Sequence, residues 1–207
     1  MMQKTKIIEV DPEKPDLKKI KEAAKIIKEG GLVAFPTETV YGLGAAYNNP
    51  DAVTKIYKVK KRSKNKPLTL HISKIDALES FDCEITHLAK ILMDKFWPGP
   101  LTIILNTKNK KKTLAFRMPN DEVARRFIEA CGIPIVAPSA NISGNKPPVR
   151  AGGVLEDLDG KIEAVIDGGP TCLGGESTII DATSFPYRVI REGVISKSRI
   201  QDVWHQT

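Results

Sequence analysis

Polar and cationic side chains stand beside several short apolar runs in this chain. Thr37 follows residues 32–35, Arg62 and Lys66 precede residues 68–72, and His71 lies near the end of that run. Arg117 lies in residues 114–118, Ser139 and Asn141 follow 135–137, Ser177 precedes 178–181, and Arg191 follows 189–190. Short apolar runs bounded by turn residues read as strands, and in open α/β sheets ligands gather where strand ends and loops converge. The side chains suit the holding of anions. Lys60, Arg62, Lys66 and Arg191 offer positive charge for phosphates, and Arg117 offers a fork for a carboxylate. Thr37, Thr113, Ser139, Asn141, Ser177 and His71 add directional hydrogen bonds. Taken singly, each has an ordinary structural reading as a turn residue, a half-buried histidine or a surface arginine. Covalent catalysis has little to be built from, because the chain holds three histidines and two of them, His87 and His205, fall in segments that read as helix surface. The sequence has no GxxxxGK[ST] phosphate loop, no HExxH and no GxSxG elbow.

The net charge of +7 is local. Lys58, Lys60, Lys61, Arg62, Lys64 and Lys66 form one acid-free stretch, and Lys108, Lys110, Lys111 and Lys112 form another. Setting those ten aside leaves 22 of the 32 bases against 25 acids, so the first stretch implies a nearby anionic partner. The second reads as a solvated hairpin tip whose charges oppose aggregation. A chain of 207 residues buries one sizeable core, and we expect one domain over 1–207 with no C-terminal extension domain. No apolar run approaches the roughly 20 residues needed to cross a bilayer, and the first residues lack a signal peptide's apolar stretch, so a cytoplasmic protein with no membrane partner is expected. Cys83, Cys131 and Cys172 form no CxxC pair, which points to reduced, mostly buried thiols and to no protein-held metal.

The elements that must position these residues follow from periodicity. Residues 17–29 read as a helix stopped by Gly30-Gly31, and Asn49-Pro50 opens a second helix that runs into the first basic stretch. Ser73 is expected to cap a short helix, residues 86–96 form a longer one, and residues 122–130 form another, closed by Gly132. Strands are expected at 32–35, 68–72, 101–105, 114–118, 135–137, 162–166, 178–181 and 189–190, with 101–105 pairing 114–118 across the lysine-rich tip. Strands and helices interleave without strict βαβ repetition. The expected fold is therefore an α/β twisted sheet of mixed parallel and antiparallel strands with helices packed on its faces.

Five ordered segments then acquire a joint meaning. PTETVYGLG at 36–44, KKR at 60–62 with KPL at 66–68, PSANISG at 138–144, ESTIID at 176–181 and IREG at 190–193 together resemble the YrdC-like threonylcarbamoyl-AMP synthase family, over nearly the whole chain. The resemblance implies a YrdC-like fold and synthesis of L-threonylcarbamoyl-AMP and pyrophosphate from L-threonine, bicarbonate or CO2 and ATP, for tRNA modification. The KxR pair matches Lys60 and Arg62, and the SxN pair matches Ser139 and Asn141; these four look like the family's reaction-centre residues. By the same likeness Thr37, His71, Arg117, Ser139 and Ser177 would hold threonine, and Arg62, Lys66, Thr113, Asn141 and Arg191 would hold ATP. Lys60 would face the reacting groups. The threonine amine would capture carbon dioxide or bicarbonate, and the carbamate would attack the α-phosphate, with Mg²⁺ arriving on ATP and no permanently bound cofactor. Implied partners are a threonylcarbamoyl-transferase machinery that accepts the product and, through the basic stretch, tRNA or double-stranded RNA. Two residues depart from the family pattern: Lys61 stands where glycine is frequent, and Val149 where a threonine or serine is expected after Pro147-Pro148. The rival readings are an RNA-binding module of the same fold and a sister enzyme acting on another small molecule; the Ser-x-Asn pair at 139–141 favours the synthase.

Overall fold

The structure, a computed structural model, describes residues 4–204. Helix ends obey their caps. In α1 (Leu17–Lys28) the Asp16 carboxylate accepts from the Lys18 amide, and in α2 (Pro50–Val59) Asn49 accepts from Asp51 and Ala52. Thr86 caps α3 (His87–Phe96), and Asp121 caps α4 (Glu122–Cys131), which Gly132 closes in the left-handed region. The expected Ser73 cap is not made: the 3₁₀ helix Ile75–Phe81 starts one residue later, from Lys74, without a side-chain bond. Two helices escape periodicity, α5 (Ala151–Leu158), which opens with Gly152-Gly153 and has no side-chain cap, and α6 (Lys197–Trp204). His87 is exposed on α3. His205 lies outside the described residues.

The strands are β1 (Lys6–Glu9), β2 (Val33–Phe35), β3 (Gly42–Ala46), β4 (Thr69–His71), β5 (Leu101–Asn106), β6 (Thr113–Arg117), β7 (Ile135–Val136), β8 (Ala164–Asp167), β9 (Thr178–Asp181) and β10 (Arg188–Arg191). They form one sheet in the order β1-β8-β2-β3-β7-β4-β6-β5-β9-β10. Four pairs are parallel (β1 with β8, β8 with β2, β4 with β6, β5 with β9) and the others antiparallel, so the sheet is mixed as expected. The 101–105 and 114–118 runs pair antiparallel as expected. Sequence reading misses β1, where Ile8 alone is buried, and β3, whose GLGAA is poor in strand formers. Tertiary packing makes β3 a strand: a Cβ at Gly44 would stand 3.2 Å from the Phe35 ring, so glycine lets β2 and β3 close together.

Both faces of the sheet are covered over its first half. Along β2, β8 and β7, Val33, Phe35, Ala164, Ile166 and Ile135 meet α1 and α4 in one apolar cluster, while Ala34, Val165 and Val136 enter the larger cluster on the other face. Over β4, β6, β5 and β9 the larger cluster continues with Leu70, Phe116, Ile103 and Ile180. The opposite face of these four strands turns polar, and the candidate site lies there.

Candidate functional site

Alternation along four strands builds the floor. Thr69 and His71 on β4, Ala115 and Arg117 on β6, Thr102 and Ile104 on β5, and Ser177 and Ile179 at β9 all line one cavity of about 530 Å³. That size falls within the usual range for small-ligand sites. The floor is therefore the sheet's face itself, rather than only the strand ends where the sequence reading gathers ligands. Parallel pairing puts His71 in register with Arg117. Thr102 and Ser177 share a 3.0 Å hydroxyl bond between neighbouring strands. Ile190 and Arg191 of β10 and loop residues 65–67 complete the walls.

The 36–41 loop enters this floor as a fixed unit. Thr37 is buried; its Oγ1 donates to Val40 O at 2.7 Å, accepts from the Thr39 and Val40 amides, and lies 2.9 Å from Thr39 Oγ1. Tyr41 also faces the cavity and donates to Gly169 O at 2.7 Å. Burial, then the charge of Asp167, raises its phenol, which stays protonated. Arg117 is 5% exposed and stands 2.8 Å from Glu38 Oε2. Burial lowers its pKa while Glu38 opposes the shift. Burial, reinforced by Arg117, depresses His71 to about 3, so the floor presents a neutral imidazole at physiological pH.

The rim is cationic and more exposed. After α2 the chain turns at Lys61 with φ 49; the Lys61 amide donates to Lys58 O and the Arg62 amide to Tyr57 O, a paired C-terminal cap that normally takes glycine. This turn explains why glycine suits the Lys61 position. It aims Arg62 back at its own loop, where Nε donates to Lys66 O at 3.3 Å and Nη2 to Pro67 O at 2.9 Å. Across the opening, Arg191 donates to Glu176 Oε1 at 2.6 Å and to Ser177 O at 2.9 Å. Gly193 allows this stitching, because a Cβ there would fall 2.2 Å from Glu176 O. Arg62 has its pKa lowered, mainly by burial and also by the charge of Arg191.

Eight of the eleven residues expected at the site line this cavity: Thr37, Arg62, Lys66, His71, Arg117, Ser139, Ser177 and Arg191. The other three are placed differently. Lys60 does not face the cavity; it is 1% exposed, and its ammonium donates to the carbonyls of Ser139 and Asn141 and, at 3.3 Å, to Asn141 Oδ1. Asn141 is also turned inward: Oδ1 accepts from Ser139 Oγ at 2.6 Å, and Nδ2 donates to Ile142 O and Asn145 O. Lys60 and Asn141 thus form a strut behind Ser139, with Asp157 of α5 accepting from the Ile142 amide. Burial, then Arg62, lowers Lys60 to about 8. Thr113 is exposed at the start of β6, two residues beyond Ala115 on the same face and outside the lining. Val149 is likewise outside the lining and accepts from the Thr171 amide. The reading from sequence misses Glu38, Tyr41, Thr102 and Glu176; strand alternation with Ile104 would have signalled Thr102.

Among the described residues no group of three or more His, Cys, Asp and Glu side chains is placed to hold a metal ion. No helix there is long and apolar enough to cross a membrane.

Comparison with known proteins adds independent findings. Residues 25–193 match the family model Sua5_yciO_yrdC, described as "Telomere recombination". A threonylcarbamoyl-AMP synthase of Bacillus subtilis is 45% identical over 193 residues, 89% of this chain and 56% of that protein. A putative threonylcarbamoyl-AMP synthase of Methanocaldococcus jannaschii is 36% identical and matches 93% of this chain and 95% of its own. Among solved structures, Pyrococcus abyssi Sua5 complexed with L-threonine superposes with a TM-score of 0.91 at 45% identity, over 96% of this chain and 61% of that one. The chain therefore spans little more than half the length of these Bacillus and Pyrococcus relatives.

Proposed function

The chain belongs to the Sua5/YciO/YrdC family, and from that premise we propose that it is a threonylcarbamoyl-AMP synthase whose floor holds L-threonine and whose rim holds ATP. The observation that carries this reading is the joining, in one cavity, of a buried polar floor and a separate cationic rim. The threonine carboxylate meets Arg117, and its hydroxyl and amine meet the oxygens of Thr37, Ser139 and Ser177 and the neutral His71. The triphosphate lies against Arg62, Lys66 and Arg191. A binding pose that reaches the outer end of β6 brings in Thr113.

The threonine ammonium first gives a proton to solvent; the freed nitrogen lone pair then bonds to the carbon of CO2 as one C–O π bond opens onto oxygen, and a second proton leaves the nitrogen for solvent, giving a carbamate. A carbamate oxygen then bonds to the α-phosphorus as the bond to the β-phosphate bridging oxygen breaks, and pyrophosphate leaves with that electron pair. Apposing the two ligands and neutralising charge on the α-phosphate and the leaving group provide the acceleration. Lys60 and Asn141 act here by fixing Ser139 and the 138–145 loop. Mg²⁺ arrives as the counter-ion of the triphosphate; Glu176, the one carboxylate in the described lining, is occupied by Arg191. The adenylate passes to a threonylcarbamoyl-transferase machinery, and the exposed lysines of residues 58–66 beside the mouth suit the phosphates of a tRNA acceptor.

Pyrophosphate release from ATP in the presence of bicarbonate and Mg²⁺ tests the reading. We expect release that depends on L-threonine; release at the same rate without threonine would rule the reading out.

A further inference from the structure

Glu38 takes no part in the mechanism above, yet it is a carboxylate only 4% exposed, placed directly behind the floor. Its Oε2 is 2.8 Å from Arg117 Nη2. The two buried groups hold each other by charge and by the short side-chain contact between them. A buried acid is costly unless it is paired, so what Glu38 supplies here is a negative charge matched to the Arg117 guanidinium. The charged groups that face Arg117 are Glu38, Asp121 at the start of α4 and, across the cavity, Arg191. His71 beside it is neutral. The floor consequently has no surplus positive charge, because its one guanidinium is matched by Glu38. The rim differs: Arg62, Lys66 and Arg191 face the single carboxylate of Glu176.

The structure assigns Glu38 as the specificity-determining residue that reserves the floor for a zwitterion bearing one carboxylate and confines phosphates to the rim. An arginine among hydroxyls is an anion site of little selectivity. Cancelling its charge leaves enough directional bonding for an amino acid, whose own ammonium completes the balance, and makes a dianion or polyanion unwelcome beside Glu38. Pyrophosphate, the leaving group of the proposed reaction, would otherwise compete with threonine for the same floor. This inference rests on the synthase reading and sharpens it.

Binding of labelled L-threonine to the full chain, titrated with inorganic pyrophosphate without nucleotide or Mg²⁺, tests it in the wild type, Glu38→Gln and Glu38→Gln/Arg117→Gln. Threonine binding by the wild type should resist pyrophosphate. In Glu38→Gln, the same pyrophosphate concentration should raise the apparent Kd for threonine at least about 10-fold, and pyrophosphate binding read directly by calorimetry should gain a second, floor site that Arg117→Gln removes again, leaving the rim site of the wild type; a gain that survives Arg117→Gln overturns the inference. A Glu38→Gln protein as resistant as wild type overturns the inference alone. A wild type that binds no threonine overturns the synthase reading beneath it as well. Should Glu38→Gln fail to fold, the wild type decides with the aminophosphonate analogue of threonine, measured below and above its second ionisation with threonine as the control. Affinity should fall at least about 10-fold as the phosphonate becomes a dianion; unchanged or tighter binding of the dianion overturns the proposal.

Discussion

Arg117 on the floor and Arg62 on the rim carry the same guanidinium in opposite settings. Arg117 is 5% exposed, with the carboxylate of Glu38 2.8 Å away. Arg62 is half-buried, and its hydrogen bonds go to two carbonyls of its own loop, at 3.3 and 2.9 Å. A buried, counter-charged arginine is fixed and electrically balanced, so it recognises shape and one small anion. A rim arginine without a carboxylate partner keeps its charge available to whatever anion arrives, and its hold on the backbone limits its wandering. In the proposed reaction the two ends of one cavity divide the work between positioning and charge neutralisation.

The comparison breaks most visibly at Arg117. Arg117→Met should strand Glu38 as an uncompensated buried charge, lower unfolding free energy by about 3–5 kcal/mol and abolish threonine binding, read by denaturant titration and calorimetry. Arg62→Ala should instead slow threonine-dependent pyrophosphate release by about 100-fold. Its unfolding free energy should stay within about 0.5 kcal/mol of wild type. Lys60→Met sharpens the contrast, since it removes the donor to three oxygens of the 138–145 loop and should lose activity and stability together. If the Lys60 variant kept wild-type stability, its assignment as a strut would be wrong.

Acid titration separates the ends in another way. His71 is neutral when folded, with its pKa depressed from 6.5 to about 3. The unfolded chain therefore binds a proton that the folded chain refuses between those values. Stability from this source is complete above pH 6.5 and is lost as pH falls toward 3, a difference of a few kcal/mol on the order expected for such a shift. His71→Gln should flatten that part of the stability profile; an unchanged slope would show that His71 does not cause it. The smallest effect is expected at the rim, where Lys61→Gly relieves a left-handed residue with φ 49 and should add about 0.5–1 kcal/mol of stability.

Much of the fold was legible because its signals are local. Asp16, Asn49, Thr86 and Asp121 cap helices as their types dictate. The 101–105 and 114–118 runs pair across their lysine-rich tip. Residues whose roles depend on distant neighbours were harder to read. Gly42–Ala46 became a strand because Phe35 and the flanking strands enclose it, against its own propensity. Glu38 sat unremarked inside a motif until the fold set it behind Arg117, 79 positions along the chain.

By itself, the sequence determined which residue types are suited to an anion, where the capped helices α1 to α4 and the more apolar strands lie, and that the basicity is confined to short stretches, because composition, periodicity and caps act within a few residues. The tertiary structure decided which of those side chains line the cavity and which turn inward as supports. Lys60 and Arg62, two positions apart, went opposite ways: the turn at Lys61 sends the guanidinium to the rim, while the carbonyls of Ser139 and Asn141, brought close only by folding, draw the ammonium beneath it. Direction of this kind is fixed by partners remote in sequence, and no local pattern encodes it.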